Sequence, residues 1–206
     1  EEALKLDPKL SSVFLIRGNV YLRKNEYDYA IKDLTEAIRL NPLDDYAYTQ
    51  RGLAWLEVDG DKALADFNEA VRLNPKGTTA YINIAIIWRD KKDFPKAIKA
   101  YEDSVRIDPL NDISYNHLSW ILSTNKDPSV RNGKKAVEYA IKACELRDYL
   151  SASHLTNLAS AYAETGDFEN AIKWQSKAME FTEEGDKDDY QGRLDLYKSG
   201  RPYRQE

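Results

Sequence analysis

Three side chains of the kinds that act in catalysis stand isolated in this sequence. His117 and His154 are its two histidines, and Cys144 is its one cysteine. Nucleophilic catalysis needs a nucleophile within hydrogen-bond reach of a base, and neither histidine shares a predicted helical face with the cysteine. Cys144 follows Ala143 at a place suited to small packed residues, which favours an inert buried thiol. We interpret both histidines as solvated or packing residues.

Other motifs that would support chemistry are missing from the sequence. It has no glycine-rich phosphate loop, no paired-histidine zinc motif and no nucleophile elbow. Asp59-Gly60-Asp61 resembles the start of a calcium loop, but Ala63 and Ala65 stand where later ligands belong. We therefore predict that the protein is not an enzyme and that it has no catalytic residues, metal or cofactor.

Composition excludes further classes of protein. The 206 residues include 30 Lys and Arg against 35 Asp and Glu, a net charge of -5, whereas nucleic-acid binders gather a basic surplus on one face. No apolar run approaches the roughly 18 residues of a membrane helix. We expect neither nucleic-acid binding nor membrane insertion, and we favour a cytoplasmic location. Because no initiator methionine or signal-peptide pattern is present, we expect Glu1 to be a cut point within a longer protein.

The strongest pattern in the sequence is an internal repeat. Asn-Pro or Asp-Pro pairs end at Pro8, Pro42, Pro75 and Pro109, at intervals of 34, 33 and 34 residues. Small residues keep the same period in three columns, which is typical of stacked repeat units. The columns are Gly18, Gly52, Ala85, Ser119 and Ala159; Ala30, Ala63, Ala97, Ala136 and Ala171; and Ala3, Ala37, Ala70, Ser104, Ala143 and Ala178.

Each repeat unit is predicted to hold two helices. Apolar residues return at steps of three and four, as in the stretch 31–38, and this is helical periodicity. The small residues allow the two helices of a unit, and the first helix of the next unit, to approach closely. Since a residue before proline is disfavoured in helical geometry, we predict that second helices end at Asn41, Asn74 and Asp108.

These residues resemble a known family. The spacing of Phe14, Arg17-Gly18, Tyr21, Ala30, Leu34, Ala37 and Pro42 is similar to that of the tetratricopeptide repeat, and some stretches resemble bacterial members of unassigned role. The resemblance implies an all-α fold, an α-solenoid of antiparallel helix pairs in a right-handed superhelix with first helices on the concave face. We predict a trailing half-repeat at 1–10, repeats at 11–44, 45–77, 78–111, 112–151 and 152–185, and a capping helix with a short tail at 186–206.

The fourth repeat departs from the family pattern. Ser119 and Ala136 lie 17 residues apart, against 12 for the corresponding pairs in repeats one, three and five. The five extra residues fall within 124–134, a stretch rich in turn-forming residues. Two interpretations are open: a tolerated surface insertion, or a contact for a ligand at the rim of the groove.

The resemblance also implies a concave groove, lined in this family mainly by the second, fifth, sixth, ninth, twelfth and thirteenth residues of each repeat. Amides there can bond the backbone of an extended peptide, and aromatic anchors usually dominate interface energy. Alternatively, residues such as Ile86 and Trp120 pack between adjacent first helices. The candidate groove residues are Asn19, Tyr46, Thr49, Leu53, Asn83, Ile86, Asn116, Trp120 and Asn157.

One known use of the family's groove is not supported by the sequence. Some members grip the C-terminal carboxylates of chaperones with a clamp of Lys, Asn and Arg side chains. This chain offers Leu15, Asn19 and Gln50 at the first clamp positions, so we do not expect chaperone-tail binding by this clamp.

Three functions stay open at this point. The leading hypothesis is a non-catalytic interaction scaffold that binds a peptide or protein segment in its groove. The alternatives are a self-assembling structural module and the regulatory arm of a larger enzyme. The stretch Ala3-Leu4-Lys5-Leu6 favours weak end-to-end self-association, because its apolar face lacks a first helix of its own.

Overall fold

The computed structural model describes residues 8–182 and 184–205, and all regular structure in them is helical, so the predicted all-α class is confirmed. Of the predicted half-repeat, residues 1–7 lie outside the described residues and 8–10 open the first helix. The described α-helices are α1 (Pro8–Arg23), α2 (Tyr27–Leu40), α3 (Asp45–Leu56), α4 (Gly60–Leu73), α5 (Thr78–Asp90), α6 (Phe94–Ile107), α7 (Asp112–Thr124), α8 (Gly133–Glu145), α9 (Ala152–Glu164), α10 (Phe168–Met179) and α11 (Lys187–Lys198).

Capping side chains and prolines set the helix ends. Asp44 and Asp167 precede α3 and α10, and each accepts a hydrogen bond from a backbone N–H of the first turn, which satisfies a donor that the helix cannot pair. The helices α2, α4 and α6 end immediately before Asn41, Asn74 and Asp108. The ends predicted from the three prolines are therefore confirmed.

The fourth repeat ends without a proline and uses a different turn. After α8, Asp148 and Tyr149 take φ angles of 49° and 56°, a region that residues with a side chain seldom occupy. The Tyr149 N–H donates to the Cys144 carbonyl at 2.9 Å, and the Tyr149 ring stacks on Trp174 with centroids 5.4 Å apart. Contacts distant in sequence thus hold a turn that proline fixes elsewhere.

The chain divides into two compact units, residues 1–92 and 93–206, and the division falls between α5 and α6. In the first unit, each helix from α1 to α4 packs on the next, and in the second unit each helix from α6 to α10 does so. The first helices of neighbouring repeats also touch, α1 with α3 and α7 with α9. Each unit is a stack of helical hairpins.

Small residues stand where the helices come closest. The second predicted column is fully buried: Ala30, Ala63, Ala97, Ala136 and Ala171 each have 0% exposure. In the first column, a Cβ atom added to Gly52 would lie 2.7 Å from Cε1 of Phe67, closer than a carbon atom tolerates. The repeated small residues are therefore a packing requirement.

Ion pairs to buried carboxylates make a second link within the two hairpins of the first unit. On α3, Arg51 Nε and Nη2 donate to the two carboxylate oxygens of Asp66 on α4, at 2.8 and 2.7 Å. On α1, Arg17 Nε and Nη2 likewise donate to the two carboxylate oxygens of Asp33 on α2. Asp33 and Asp66 are 5% and 6% exposed. A guanidinium that donates two parallel hydrogen bonds to a carboxylate fixes the relative orientation of the two side chains. These contacts therefore help to set how far one helix is shifted along the other in each of the two hairpins.

The two terminal helices differ in the surface that they leave open. On α11, Tyr190, Leu194 and Tyr197 are buried, and the Tyr190 carbonyl accepts a hydrogen bond from Gln175 Nε2 on α10 at 3.1 Å. Its other positions are mostly exposed and polar, as a capping helix requires. In α1, by contrast, four apolar side chains are 45–64% exposed: Leu10, Val13, Ile16 and Val20.

We expect Gly52→Ala to destabilise the protein and Gly192→Ala to stabilise it. Both glycines lie inside helices, but a Cβ at Gly192 would meet no atom within 4 Å. Overpacking against Phe67 should cost about 1–3 kcal/mol, whereas replacing a helical glycine gains about 0.5–1 kcal/mol. Thermal melts followed by circular dichroism measure both changes, and shifts of the same sign would contradict the close approach at Gly52.

Leu194→Ala should lower the melting temperature, because the side chain is 6% exposed and truncating a buried leucine costs about 2–5 kcal/mol. Lys198→Ala, on the exposed side of the same helix, should change stability by less than about 0.5 kcal/mol. Equal melting curves for the two variants would show that α11 does not act as a cap.

Candidate functional site

His154 belongs to a Ser–His–Asp chain of contacts that the sequence analysis did not single out. Its Nδ1 lies 2.8 Å from Ser151 Oγ and its Nε2 lies 3.1 Å from Asp112 Oδ2. Burial lowers the pKa of His154 below its ordinary value, although Asp112 opposes this. Arg147 Nε lies 2.6 Å from the same Asp112 oxygen. The contacts of His154 with Ser151 and with Asp112, which also pairs with Arg147, tie α9 to α7.

The other two side chains considered for catalysis also serve packing. Cys144 is fully buried, and burial raises the pKa of its thiol to about 12, so the reactive thiolate is suppressed. The His117 ring stacks on Tyr101 with centroids 5.2 Å apart. Both placements agree with the packing roles predicted for these residues.

The described residues bring together no group of three or more His, Cys, Asp or Glu side chains that could hold a metal ion. Asp59, in the calcium-like stretch, instead caps α4 by accepting hydrogen bonds from the backbone N–H groups of Asp61 and Lys62 at 3.1 and 3.2 Å. None of the described helices combines the length and apolar character that a membrane crossing requires.

In the first unit, four predicted groove residues leave part of their surface open. Tyr46 is 50% exposed, and Leu53, Ile86 and Asn19 are half-buried. The Oδ1 atom of Asn19 is buried and has no hydrogen-bond partner among the described residues. Because this oxygen is closed to solvent, its part in binding stays a prediction.

The other two groove residues of the first unit are buried and bonded within their own helices. The Thr49 hydroxyl donates to the Asp45 carbonyl at 2.9 Å, and Asn83 Nδ2 donates to the Thr79 carbonyl at 2.8 Å. Thr49 and Asn83 are 8% and 9% exposed. Little of either side chain faces solvent, so their part in binding stays a prediction.

In the second unit, the structure brings two predicted groove amides into direct contact. Asn157 Nδ2 on α9 donates to Asn116 Oδ1 on α7 at 2.9 Å. Asn157 is 7% exposed, whereas Asn116 and Trp120 are half-buried. Asn157 therefore joins the two first helices and orients the Asn116 amide, while Trp120, one turn further along α7, keeps accessible surface.

These residues belong to a continuous row of groove positions on two adjacent helices, which we call the α7–α9 face. On α7 they are positions five, nine, twelve and thirteen of the repeat, and on α9 they are positions six, nine and thirteen, so each set follows helical spacing along one side of its helix. The α7–α9 face comprises Asn116, Trp120, Ser123 and Thr124 on α7, and Asn157, Ser160 and Glu164 on α9.

Part of the α7–α9 face is occupied by the chain's own last helix and the segment after it. The hydroxyl groups of Tyr197 and Ser160 are 2.9 Å apart. The Gln205 N–H donates to the Thr124 carbonyl at 2.9 Å, and Arg204 Nη2 lies 2.6 Å from Glu164 Oε2. A segment without regular structure is thus held on groove positions by backbone and charged contacts.

The inserted stretch of repeat four reaches the same carboxylate. Arg131 Nε donates to Glu164 Oε1 at 2.9 Å, and its Nη1 donates to the carbonyls of Asn125 and Lys126 at 2.8 and 3.0 Å. The Arg131 and Glu164 side chains are only 18% and 14% exposed. The insertion therefore folds down onto the end of α9.

The sequence analysis did not single out Glu164, Arg131 or Arg204. Glu164 does occupy the thirteenth position of its repeat, so the family's lining pattern could have found it. Arg204 could not have been found in this way, because it lies 81 positions from Ser123, whose carbonyl it contacts, and no sequence pattern relates the two residues.

Comparison with known proteins gives a consistent result. Three family models match: "TPR repeat" at residues 18–58, and "Tetratricopeptide repeat" at residues 59–112 and 154–184. Together they span more than half of the chain, and their descriptions name no catalytic activity. No curated protein matches the sequence.

Many solved structures share the fold. MamA is 18% identical, with 88% of this chain and 96% of that chain covered and a TM-score of 0.72. YrrB, described as a TPR protein with an unusual peptide-binding site, is 15% identical, with 95% and 97% covered and a TM-score of 0.74.

A third structure, the first TPR domain of Spaghetti bound to the HSP90 peptide SRMEEVD, is 28% identical, with 54% of this chain and 90% of that chain covered and a TM-score of 0.52. These likenesses identify the hairpin stacks as the architecture of tetratricopeptide α-solenoids. With its repeat spacing, its small-residue columns and the three matching family models, the chain belongs to the tetratricopeptide-repeat family.

Proposed function

We propose that this protein is a non-catalytic interaction scaffold that binds an extended peptide or protein segment along its first helices. The observation that supports this most directly is the α7–α9 face. It holds a stretch of irregular chain through the Thr124 carbonyl and the Glu164 carboxylate. A surface that binds such a stretch within the molecule has the donors, acceptors and shape to bind one from a partner.

The comparisons support the same proposal. YrrB and the Spaghetti domain, whose descriptions mention peptide binding, share the fold of this chain. The HSP90 peptide of the Spaghetti structure, SRMEEVD, has three acidic residues near its end. The α7–α9 face instead presents Glu164 and helix carbonyls, which repel carboxylates. The proposed ligand is therefore a neutral or basic segment.

Trp120 is the proposed apolar anchor of the α7–α9 face. It lies one turn from Asn116 and one turn from Thr124 on α7, and its side chain is half-buried. A tryptophan held on a helix presents a large rigid area at low entropic cost, and such residues often supply most of the binding energy of an interface.

To test this proposal, the protein would be panned against a library of random linear peptides, and the affinity of the selected peptides measured by calorimetry. Trp120→Ala should weaken a selected peptide by about 2 kcal/mol or more, the usual threshold for a dominant residue. Lys173→Ala, on the exposed side of α10, should leave its affinity unchanged. Selected peptides with equal affinity for both variants would place the binding surface elsewhere.

Self-association is a second candidate function, favoured by the exposed apolar row on α1. The corresponding positions of later first helices are covered: Val13 aligns with Ala47 and Val20 with Ala54, both at 0% exposure, while Val13 and Val20 are 57% and 45% exposed. Rows of this kind on a surface mark contact sites. Because the outer side of α11 is polar, we propose pairing between two α1 helices rather than between α1 and α11.

Ile16→Glu should abolish concentration-dependent dimer formation if α1 mediates pairing, since it places a charge in the centre of the row, where Ile16 is 64% exposed. The substitution should leave the melting temperature nearly unchanged, because little of the side chain is buried in the monomer. Sedimentation velocity at several concentrations measures the association. A purely monomeric protein at all concentrations would exclude this second function.

A further inference from the structure

The segment at 201–205 is directed onto the α7–α9 face by the way α11 ends. Gly200 takes a φ of 71°, a left-handed geometry that glycine adopts without strain. Its N–H donates to the Tyr197 carbonyl, and the Arg201 N–H donates to the Leu196 carbonyl, both at 3.0 Å. This pair of bonds is the Schellman motif, which ends the helix sharply and turns the chain back.

Contacts of three of its residues, Tyr203, Arg204 and Gln205, then hold the segment in place. The Gln205 N–H donates to the Thr124 carbonyl at 2.9 Å. Arg204 Nη1 donates to the Ser123 carbonyl at 3.2 Å, and its Nη2 lies 2.6 Å from Glu164 Oε2. The Tyr203 ring lies under the guanidinium of Arg193 from α11, 4.2 Å from the ring centroid, an arrangement that is attractive for a cation and an aromatic face.

The atoms that receive Arg204 form a site suited to a guanidinium group. The last carbonyls of a helix lack intrahelical partners and carry the negative end of its dipole. Here the end of α7 supplies the Ser123 carbonyl, and the end of α9 supplies the Glu164 carboxylate. A planar guanidinium can donate to the carbonyl from one nitrogen while another nitrogen pairs with the carboxylate, whereas a lysine ammonium acts as a point charge.

Arg131, in the insertion of repeat four, orients the Glu164 carboxylate toward Arg204. Arg131 occupies Oε1 from one side, and Arg204 approaches Oε2 from the other. Both guanidinium groups are partly buried, at 18% and 30% side-chain exposure. Because Arg131 bonds Oε1, withdrawal of Arg204 would leave Oε2 without its ion-pair partner while Arg131 still orients the carboxylate.

We infer that this site recognises an arginine within an extended segment of a partner protein, and that residues 201–205 occupy it in cis until the partner displaces them. The inference rests on the proposed function and names both its ligand class and its regulation. A tethered segment acts at an effective concentration in the millimolar range. It therefore weakens a competing peptide by tenfold or more where the intrinsic Kd of the segment is about 0.1 mM or tighter.

The test uses a fluorescein-labelled peptide with the sequence of residues 200–205, added to the full chain and followed by fluorescence anisotropy. We expect at least tenfold tighter binding to the Arg204→Ala variant than to the unaltered chain, because the substitution frees the site. Arg201→Ala is the matched control. It also removes one arginine, but Arg201 is exposed and its Nε donates to Ser199 Oγ at 3.0 Å rather than to the α7–α9 face, so peptide binding should stay as weak as in the unaltered chain.

A second pair of measurements tests the site itself. Adding Glu164→Gln to the Arg204→Ala variant should return peptide binding to the level of the unaltered chain. In the Arg204→Ala variant, a peptide with lysine in place of the arginine corresponding to Arg204 should bind at least tenfold more weakly. Circular dichroism establishes that each variant is folded, and Arg204→Lys, a smaller change, should give intermediate binding.

Equal peptide binding by the unaltered chain and Arg204→Ala would overturn the inference, and so would binding that ignores Glu164→Gln. These results are distinct from failure of the proposed function. Library peptides that depend on Trp120 but not on Glu164 or Arg204 would leave the scaffold function standing while excluding the arginine site. If no library peptide binds but the arginine peptide behaves as expected, the segment regulates a narrower site than the scaffold proposal assumes.

Discussion

The close approach of neighbouring helices is the constraint on which the rest of this structure depends. At Gly52 there is no room for even one carbon atom beside Phe67, and the alanines of the second column have no exposed surface. Because the helices of a hairpin meet at this distance, each repeat must be nearly the same as the last. First helices then lie beside first helices, and the polar residues on their open side form continuous rows such as the α7–α9 face.

Much of the fold could be predicted because its signals are local and repeated. A proline fixes the end of α2, α4 and α6 through the residue before it, and the small columns reveal the period. The end of α8 lacked such a signal. Its turn depends on Tyr149 stacking on Trp174, a contact between residues 25 positions apart that no local preference specifies. The division between α5 and α6 was likewise not visible, since the third repeat matches the pattern well.

The candidate site was predictable only in outline. The family's lining pattern identified Asn116, Trp120 and Asn157, but it could not show that Asn157 Nδ2 bonds Asn116 Oδ1 at 2.9 Å, because this depends on how far α9 is shifted along α7. It also could not show which groove positions the end of α11 and the segment after it cover. The hydroxyl contact between Tyr197 and Ser160 shows that the end of the chain already uses some of them, and the sequence of a tail has no periodicity from which to infer its partner.

The insertion of repeat four explains how the tail can leave. A buried carboxylate that loses its only cation is left with a large desolvation cost, and such a cost would lock the segment in place. Arg131, which the insertion brings to Glu164, keeps that carboxylate paired when Arg204 withdraws. The bound and released states of the segment then differ mainly by a few hydrogen bonds and one partly exposed ion pair. A ligand shifts such an equilibrium only by its difference in affinity for the two states, and an arginine in the partner that repeats the contacts of Arg204 supplies that difference.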